Sequence, residues 1–292
     1  MLVSKLDARG SKFDNHPSLR FRQTSIDTSF DNDKRWLLTL PSNENRLFWT
    51  TMNPTQSIDI SVVVPVYNEE ENLPVLVPKL VLVLNRLDLS YEMIFVDDGS
   101  SDGSRKILKE MTSRYPSLRI IGLKKNRGLS TALLAGMREV RGDIIVTLDS
   151  DLQNDPEDIP KLLNYLDRYD MATGWRQKRD DPWLRRISSR IANAIHNRLS
   201  GEKIYDSACT LRAFKRECIQ GIPIFNGMHR FLSTLVKMNG YRIIEVPVLH
   251  HPRKFGKAKY NIRNRALRAF IDLLGVRWMK ERRIQYEIEE RI

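Results

Sequence analysis

The residues whose types and spacing most clearly suggest chemistry lie in the run GDIIVTLDSDLQNDPED, which carries Asp149, Asp151 and Gln153. The apolar stretch Ile144, Ile145, Val146, Thr147, Leu148 reads as a buried strand that delivers these acids to its end. Side chains at i and i+2 of an extended segment share a face, which puts Asp149 and Asp151 about 6 to 7 Å apart with Gln153 next in line. At an effective dielectric of about 20, two carboxylates so placed repel by roughly 2 to 3 kcal/mol, and a divalent cation turns that repulsion into attraction. Oxygen donors with one amide suit Mg²⁺ or Mn²⁺ better than Zn²⁺. Asn154, Asp155 and Pro156 then open a helix, and capping it is the competing role for Asp151 or Asp155.

The elements that must position these acids come before them in the chain. DISVVVPV (59–66) is a buried strand, followed by helical spacing of Leu73, Leu76, Val77, Leu80, Val83, Leu84 and Leu87 over 70–87. The pattern repeats with a strand over 91–96 ending in Asp97 and Asp98, and a helix from Ser101 and Asp102 to Tyr115. A third strand (118–123) and a third helix (127–140) lead into the strand that ends at Leu148. Such alternation through short loops predicts an α/β fold with a mostly parallel sheet flanked by helices, as one nucleotide-binding layer. A fifth strand is expected over 169–174.

Where a dinucleotide-binding fold has glycines after its first strand, this chain has Pro65, Val66, Tyr67, Asn68, Glu69 and Glu70. Acids there repel a pyrophosphate, whereas a ring and carboxylates suit a base stacked on Tyr67 and ribose hydroxyls bonded to Glu69. Asp97 and Asp98 can accept from the N–H edge of a base. Helix-dipole and capping roles compete for each of these acids taken alone, but less so for three acidic strand ends on one edge.

The totals fit this picture. A chain of 292 residues, 41% hydrophobic and 29% charged, has the composition of a folded domain. Its 48 basic against 36 acidic residues give +12, which implies an anionic partner: a phosphorylated substrate, nucleic acid or an acidic membrane surface. Cys209 and Cys218 have no metal-binding spacing and read as reduced thiols. With neither a signal-peptide core nor an apolar run of about 18 residues, the expectation is a cytoplasmic protein.

The runs SVVVPVYNEEENLP, FVDDGSSDGS and GDIIVTLDSDLQNDPED together resemble inverting family 2 glycosyltransferases of the GT-A fold, in the dolichol-phosphate mannosyltransferase and polyprenyl-phosphate glycosyltransferase branch. The likeness extends from about Ile58 to Tyr260. It implies a GDP- or UDP-sugar donor, with Pro65, Tyr67, Glu69, Asp97, Asp98 and Asp149 around the nucleotide sugar and Asp149, Asp151 and Gln153 on Mg²⁺ or Mn²⁺. It also implies a polyprenyl phosphate acceptor at a membrane surface. By the same likeness Arg176, Arg185 and Ser189, the last two on a helix over 183–199, contact acceptor or donor phosphate, and with Asp151 they form the catalytic set. DSACTLRAF carries Asp206 and Arg212 over from the family's D-x-T-G-x-x-R segment, with Cys209 where glycine is usual. HHPRKFGKAKY resembles the family's basic closing loop through Arg253, Gly256 and Lys259, with Ala258 in place of a serine.

The expected organisation is an irregular arm (1–57), a GT-A domain (58–260) and a basic amphipathic helical tail (261–292). In that tail Leu267, Phe270, Ile271, Leu274 and Trp278 form one stripe, with Arg265, Arg268, Asp272 and Lys280 opposite. Burying its charges at a bilayer centre costs about 2.5 to 3.5 kcal/mol each, so the tail is expected to lie in the membrane interface or to pack on protein. Peripheral association with the inner membrane face follows, and a membrane-spanning partner subunit is a further expectation. His250 and His251, adjacent on a strand end, point apart and read as structural or interfacial. Two alternatives stand beside this: a family 2 enzyme with a soluble or cell-envelope polysaccharide acceptor, and a nucleic-acid or anionic-surface binding protein. The second explains the charge but not the acidic strand ends, so nucleic acid is not the expected partner.

Overall fold

β-Branched residues dominate the strand ISVVVPV, and it is buried along its whole length, as a strand flanked on both sides and covered on both faces must be. A computed structural model describes residues 57–176, 204–255, 262–284 and 290, with the backbone alone for 262–267. The arm before Ser57, the helix expected over 183–199 and the loop residues 256–260 lie outside the described residues.

Among the described residues one sheet of seven strands has the order β3-β2-β1-β4-β6-β5-β7. These are β1 (Ile60–Val66), β2 (Tyr91–Asp97), β3 (Leu118–Gly122), β4 (Ile144–Thr147), β5 (Met171–Arg176), β6 (Arg212–Lys215) and β7 (Ile243–Val248). β1 pairs in parallel with β2 and β4, β2 with β3, and β5 with β7. The mostly parallel sheet is therefore present, with one reversed strand: β6 runs antiparallel to both β4 and β5.

Helices cover both faces. α1 (Leu73–Leu84) and α2 (Ser104–Arg114) bury Leu73, Leu76, Leu80, Leu84 and Leu108 in one cluster with Val62, Val64 and Phe95. α3 (Leu129–Arg138) lies on the other face, close enough that a Cβ on Gly136 would collide with Val63 and Val96. After β4 the side chain of Asp155 accepts from the Glu157 amide at 3.1 Å and so caps the turn Pro156–Asp158 that leads into α4 (Ile159–Leu163).

The order 3-2-1-4 means that the chain winds one way from β1 to β3 and then crosses back to set β4 on the other side of β1. The crevice between the carboxyl ends of β1 and β4 is the topological switch point where open α/β sheets bind ligands.

The C-terminal helix, Ile262–Glu281, packs on the domain through a narrow face. Leu273 and Val276 are buried, and Asp272, expected on the solvent side, pairs with Arg230 at 3.2 Å. Phe270, Ile271, Leu274 and Trp278 of the apolar stripe are exposed.

Candidate active site

The carboxyl ends of β1, β2 and β4 are tied together by short polar bonds before any ligand is considered. Asn68 adopts a left-handed conformation (φ 52°), and its amide donates to Ser100 Oγ at 3.0 Å while its Oδ1 accepts from the Ser101 amide at 2.8 Å. The Glu69 amide donates to Ser104 Oγ at 2.8 Å. Gly99 has φ +70°, and a Cβ there would lie 2.6 Å from the Lys125 backbone, so this crossing needs glycine. The loops after β1 and β2 thus hold Tyr67 and Glu69 at the crevice.

Asp97 and Asp98 take different roles. Asp97 is fully buried; its Oδ1 accepts from the Ser100 amide at 3.0 Å and its Oδ2 is paired with Arg105. Asp98 accepts from the amides of Arg127 and Gly128, both at 2.7 Å, and so anchors the start of α3 beside the crevice. Those two amides belong to the N-cap Gly128 and the residue before it, so the carboxylate fixes the entry of the chain into α3.

β4 stops at Thr147, and the chain then turns, with Leu152 at φ 62°. Asp149 and Asp151 therefore meet through a turn and not through the extended register expected from their spacing. Ser150 Oγ donates to the Pro65 carbonyl at 2.9 Å and binds this turn to β1. Asp151 Oδ1 accepts from the Gln153 amide at 3.2 Å. Burial first, and then the charge of Asp151, push the Asp149 carboxyl up to about 6, against the pull of Thr210, Arg212 and Arg176.

Arg253 arrives from a distant segment. The His251 amide donates to the Gln153 carbonyl at 2.9 Å, and its ring Nε2 meets Asp155 Oδ2 at 2.8 Å. Two residues on, Arg253 Nη2 donates to Asp151 Oδ2 at 2.6 Å, and Nη1 lies 3.9 Å from Glu69. Asp155 also pairs with Lys79 of α1 at 2.8 Å. Burial would raise the Asp155 pKa, but Lys79, His251 and the Glu157 amide outweigh it and lower the value.

The resulting cleft is lined by Pro65, Val66, Tyr67, Glu69, Asp98, Leu129, Ala132, Asp149, Ser150, Asp151 and Arg253. It brings together seven of the expected residues: Pro65, Tyr67, Glu69, Asp98, Asp149, Asp151 and Arg253. Gln153 stands just outside, and Asp97 lies behind Asp98. Arg185, Ser189 and Lys259 fall outside the described residues. Leu129 and Ala132 were not anticipated, because in sequence they show only as the first turn of an amphipathic helix.

Arg176 and Arg212 do not line the cleft, but both act on Asp149 through their charge. Arg176 makes a two-pronged contact with Asp206, Nε to Oδ2 at 2.7 Å and Nη2 to Oδ1 at 2.8 Å. Burial acts to lower the Arg176 pKa, and Asp206 more than offsets it, so the guanidinium is held above its ordinary value. Arg212, in register between Thr147 and Thr173, is 1% exposed. Its Nη2 donates to the Ser207 carbonyl at 3.3 Å, and among the described residues its Nε and Nη1 meet no acceptor. Its charge supports the Asp149 carboxylate. The cysteine at position 209 fits: among the described residues the non-glycine positions with positive φ are Asn68 and Leu152, so this backbone tolerates a Cβ, and the thiol is buried.

The donor set suits a hard divalent cation. Among the described residues no three His, Cys, Asp or Glu side chains converge as a closed metal cage. The crowded pair Asp149 and Asp151 instead fits an ion of the Mg²⁺ type, which takes one or two carboxylates and completes its shell with water and substrate phosphates.

The model of the family described as "Glycosyl transferase family 2" matches residues 61–222. The undecaprenyl-phosphate 4-deoxy-4-formamido-L-arabinose transferase of Sodalis glossinidius is 40% identical over 215 residues, covering 72% of this chain and 66% of the relative. The dodecaprenyl-phosphate galacturonate synthase of Rhizobium johnstonii is 38% identical over 232 residues, covering 77% and 68%. The chain thus spans about two thirds of the length of these curated relatives. Among solved structures, glucosyl-3-phosphoglycerate synthase from Mycobacterium tuberculosis with Mn²⁺ and UDP-glucose superposes with a TM-score of 0.57 at 20% identity, covering 75% of this chain and 79% of that one. The mannosyltransferase PcManGT from Pyrobaculum calidifontis with GDP-mannose and Mn²⁺ gives 0.53 at 20% identity, covering 82% and 76%. These likenesses identify the sheet as the GT-A fold.

Proposed function

Because the chain belongs to glycosyl transferase family 2, we propose that it transfers a sugar, with inversion, from a nucleotide diphosphate sugar to a polyprenyl phosphate at the cytoplasmic face of a membrane. The observation that carries this is the cleft in which Asp149 and Asp151 face Arg253, in a chain 40% identical to a transferase that acts on undecaprenyl phosphate.

The nucleotide occupies the β1 side of the cleft, with its base against Tyr67 and its ribose hydroxyls within reach of Glu69. Asp98 keeps the first turn of α3 in place as the opposite wall. Asp149 and Asp151, with Gln153 beside them, would hold Mg²⁺ or Mn²⁺, which would supply positive charge to the leaving diphosphate. Arg253 is bonded to Asp151 in the structure and transfers to the diphosphate oxygens when the donor binds, joined by Lys259. Arg176 and Arg212 act on the site by holding its charge balance, Arg176 through Asp206 and Arg212 beside Asp149.

A phosphate acceptor is anionic at neutral pH, so the reaction needs orientation more than proton removal. Arg185 and Ser189 aim the acceptor oxygen at the anomeric carbon opposite the leaving group. The new bond forms there as the bond to the diphosphate breaks.

The test is nucleoside diphosphate release from a panel of GDP- and UDP-sugars with Mg²⁺ or Mn²⁺, with and without polyprenyl phosphate in detergent. Release that requires both lipid and metal is the expected result and names the donor. Equal release without lipid would point to hydrolysis or to another acceptor, and release in the presence of chelator would remove the roles given to Asp149 and Asp151.

A further inference from the structure

The segment that carries Arg253 is fastened by a series of bonds to the turn that carries Asp151. β7 ends at Val248, and the chain from Pro247 to His251 runs antiparallel to residues 153–161. Lys161 Nζ donates to the Pro247 carbonyl, and Asp158 Oδ2 accepts from the Leu249 amide at 2.7 Å. Asn154 and His250 form an antiparallel bridge, and the Gln153 carbonyl accepts from the His251 amide at 2.9 Å. The series ends at the His251 ring, whose Nε2 lies 2.8 Å from Asp155 Oδ2.

Asp155 divides its two oxygens. Oδ1 takes the Glu157 amide at 3.1 Å and Lys79 Nζ at 2.8 Å, which serves the cap and the tie to α1. Oδ2 faces the His251 ring, so capping does not account for that bond. An ionised carboxylate only accepts, which assigns the hydrogen to Nε2. Between the ring and Arg253 stands Pro252. Proline fixes its own φ and confines the residue before it to extended backbone, so little torsional freedom separates the anchored His251 from the Arg253 backbone. Arg253 then reaches Asp151 Oδ2 at 2.6 Å. A long side chain loses rotamer freedom when it grips an anion, and a backbone already held in place lowers that cost.

We propose that His251 is a positioning residue: its bond to Asp155 fixes the backbone from which Arg253 reaches the diphosphate of the donor. This rests on the transfer reaction proposed above, in which Arg253 binds that diphosphate.

The test is the affinity of the full chain for UDP and for GDP with Mg²⁺, measured by calorimetry in a double-mutant cycle. His251→Phe keeps the bulk of the ring and removes its N–H, and is expected to weaken nucleotide binding by roughly two- to tenfold. His251→Gln, which can still donate to Asp155, is expected to bind like the wild type. In the Arg253→Ala background His251→Phe is expected to add nothing, because the group it aims is gone. The His251 side chain is 41% exposed, so Tm should change little. Wild-type affinity in His251→Phe would overturn the proposal. An equal loss with and without Arg253, which is what a merely structural role gives, would overturn it too. Failure of the wild type to bind either nucleotide would instead overturn the transfer reaction, and this inference with it, so the two failures are told apart.

Discussion

Replacing Asp206 with alanine should chiefly cost stability, so its first readout is unfolding and not chemistry. Asp206 is 2% exposed and accepts from Arg176 three times: from Nε at 2.7 Å, from Nη2 at 2.8 Å and from the backbone amide at 3.2 Å. The Ala208 amide adds a fourth donor at 3.3 Å. Removing the carboxylate leaves the Arg176 side chain, 17% exposed, without this partner and next to a second buried guanidinium, Arg212. Breaking one half of a buried pair costs about 3 to 5 kcal/mol. For a domain of this size that corresponds to a fall in Tm of roughly 6 to 20 °C. Thermal and urea unfolding followed by circular dichroism measure it directly. Combining Asp206→Ala with Arg176→Met removes both charges, and the double variant should be more stable than the sum of the single losses by about 0.5 to 3 kcal/mol. A single-variant loss below about 1 kcal/mol, the value of an exposed ion pair, would refute this account of how the cleft is supported.

Other changes separate chemistry from scaffold. Asp151→Ala should abolish sugar transfer at saturating donor and cation, while Arg253→Ala should chiefly weaken diphosphate binding, as read by KM for the donor and by nucleoside diphosphate affinity. For Asp149 the folded pKa of about 6 lies above the ordinary 3.8, so the folded state binds this proton more tightly; stability is gained as pH falls through 6 and the ionised form costs stability above it. Two units correspond to roughly 3 kcal/mol, an upper figure. Asp149→Asn should therefore be inactive yet more stable than the wild type at pH 8, with the gap closing by about pH 4 in urea titrations run in chelator. Gly136→Ala forces a methyl group against Val63 and Val96 and should cost about 1 to 3 kcal/mol of stability by thermal unfolding.

What sequence could reveal here follows the range of the interactions. The strands and helices up to β4 were legible because each is a local run of apolar residues at one period, and the acids after β1, β2 and β4 were legible because they end such runs. β6 was not, since RAFK is four residues long and its reversal depends on pairing with β4 and β5. The bond from Arg253 to Asp151 spans 102 residues and that from Arg176 to Asp206 spans 30, so no window of sequence contains either. The division of labour between Asp97 and Asp98 was equally hidden, because it depends on which neighbour, Arg105 or the start of α3, reaches each carboxylate.

The C-terminal helix shows why periodicity identifies faces but does not assign them. Phe270, Ile271, Leu274 and Trp278 make the larger apolar stripe, and burial alone would favour turning that stripe inward. The domain instead buries Leu273 and Val276, because Asp272 lies on their side and finds Arg230 at 3.2 Å. Gly227 leaves the room for it: a Cβ there would collide with the Asp272 carboxylate. Gly227→Ala, strained also by its φ of +109°, should therefore disturb this docking without touching the cleft. Faster amide exchange confined to the helix is the expected signature, and unchanged exchange there would mean that Leu273 and Val276 alone fix its orientation.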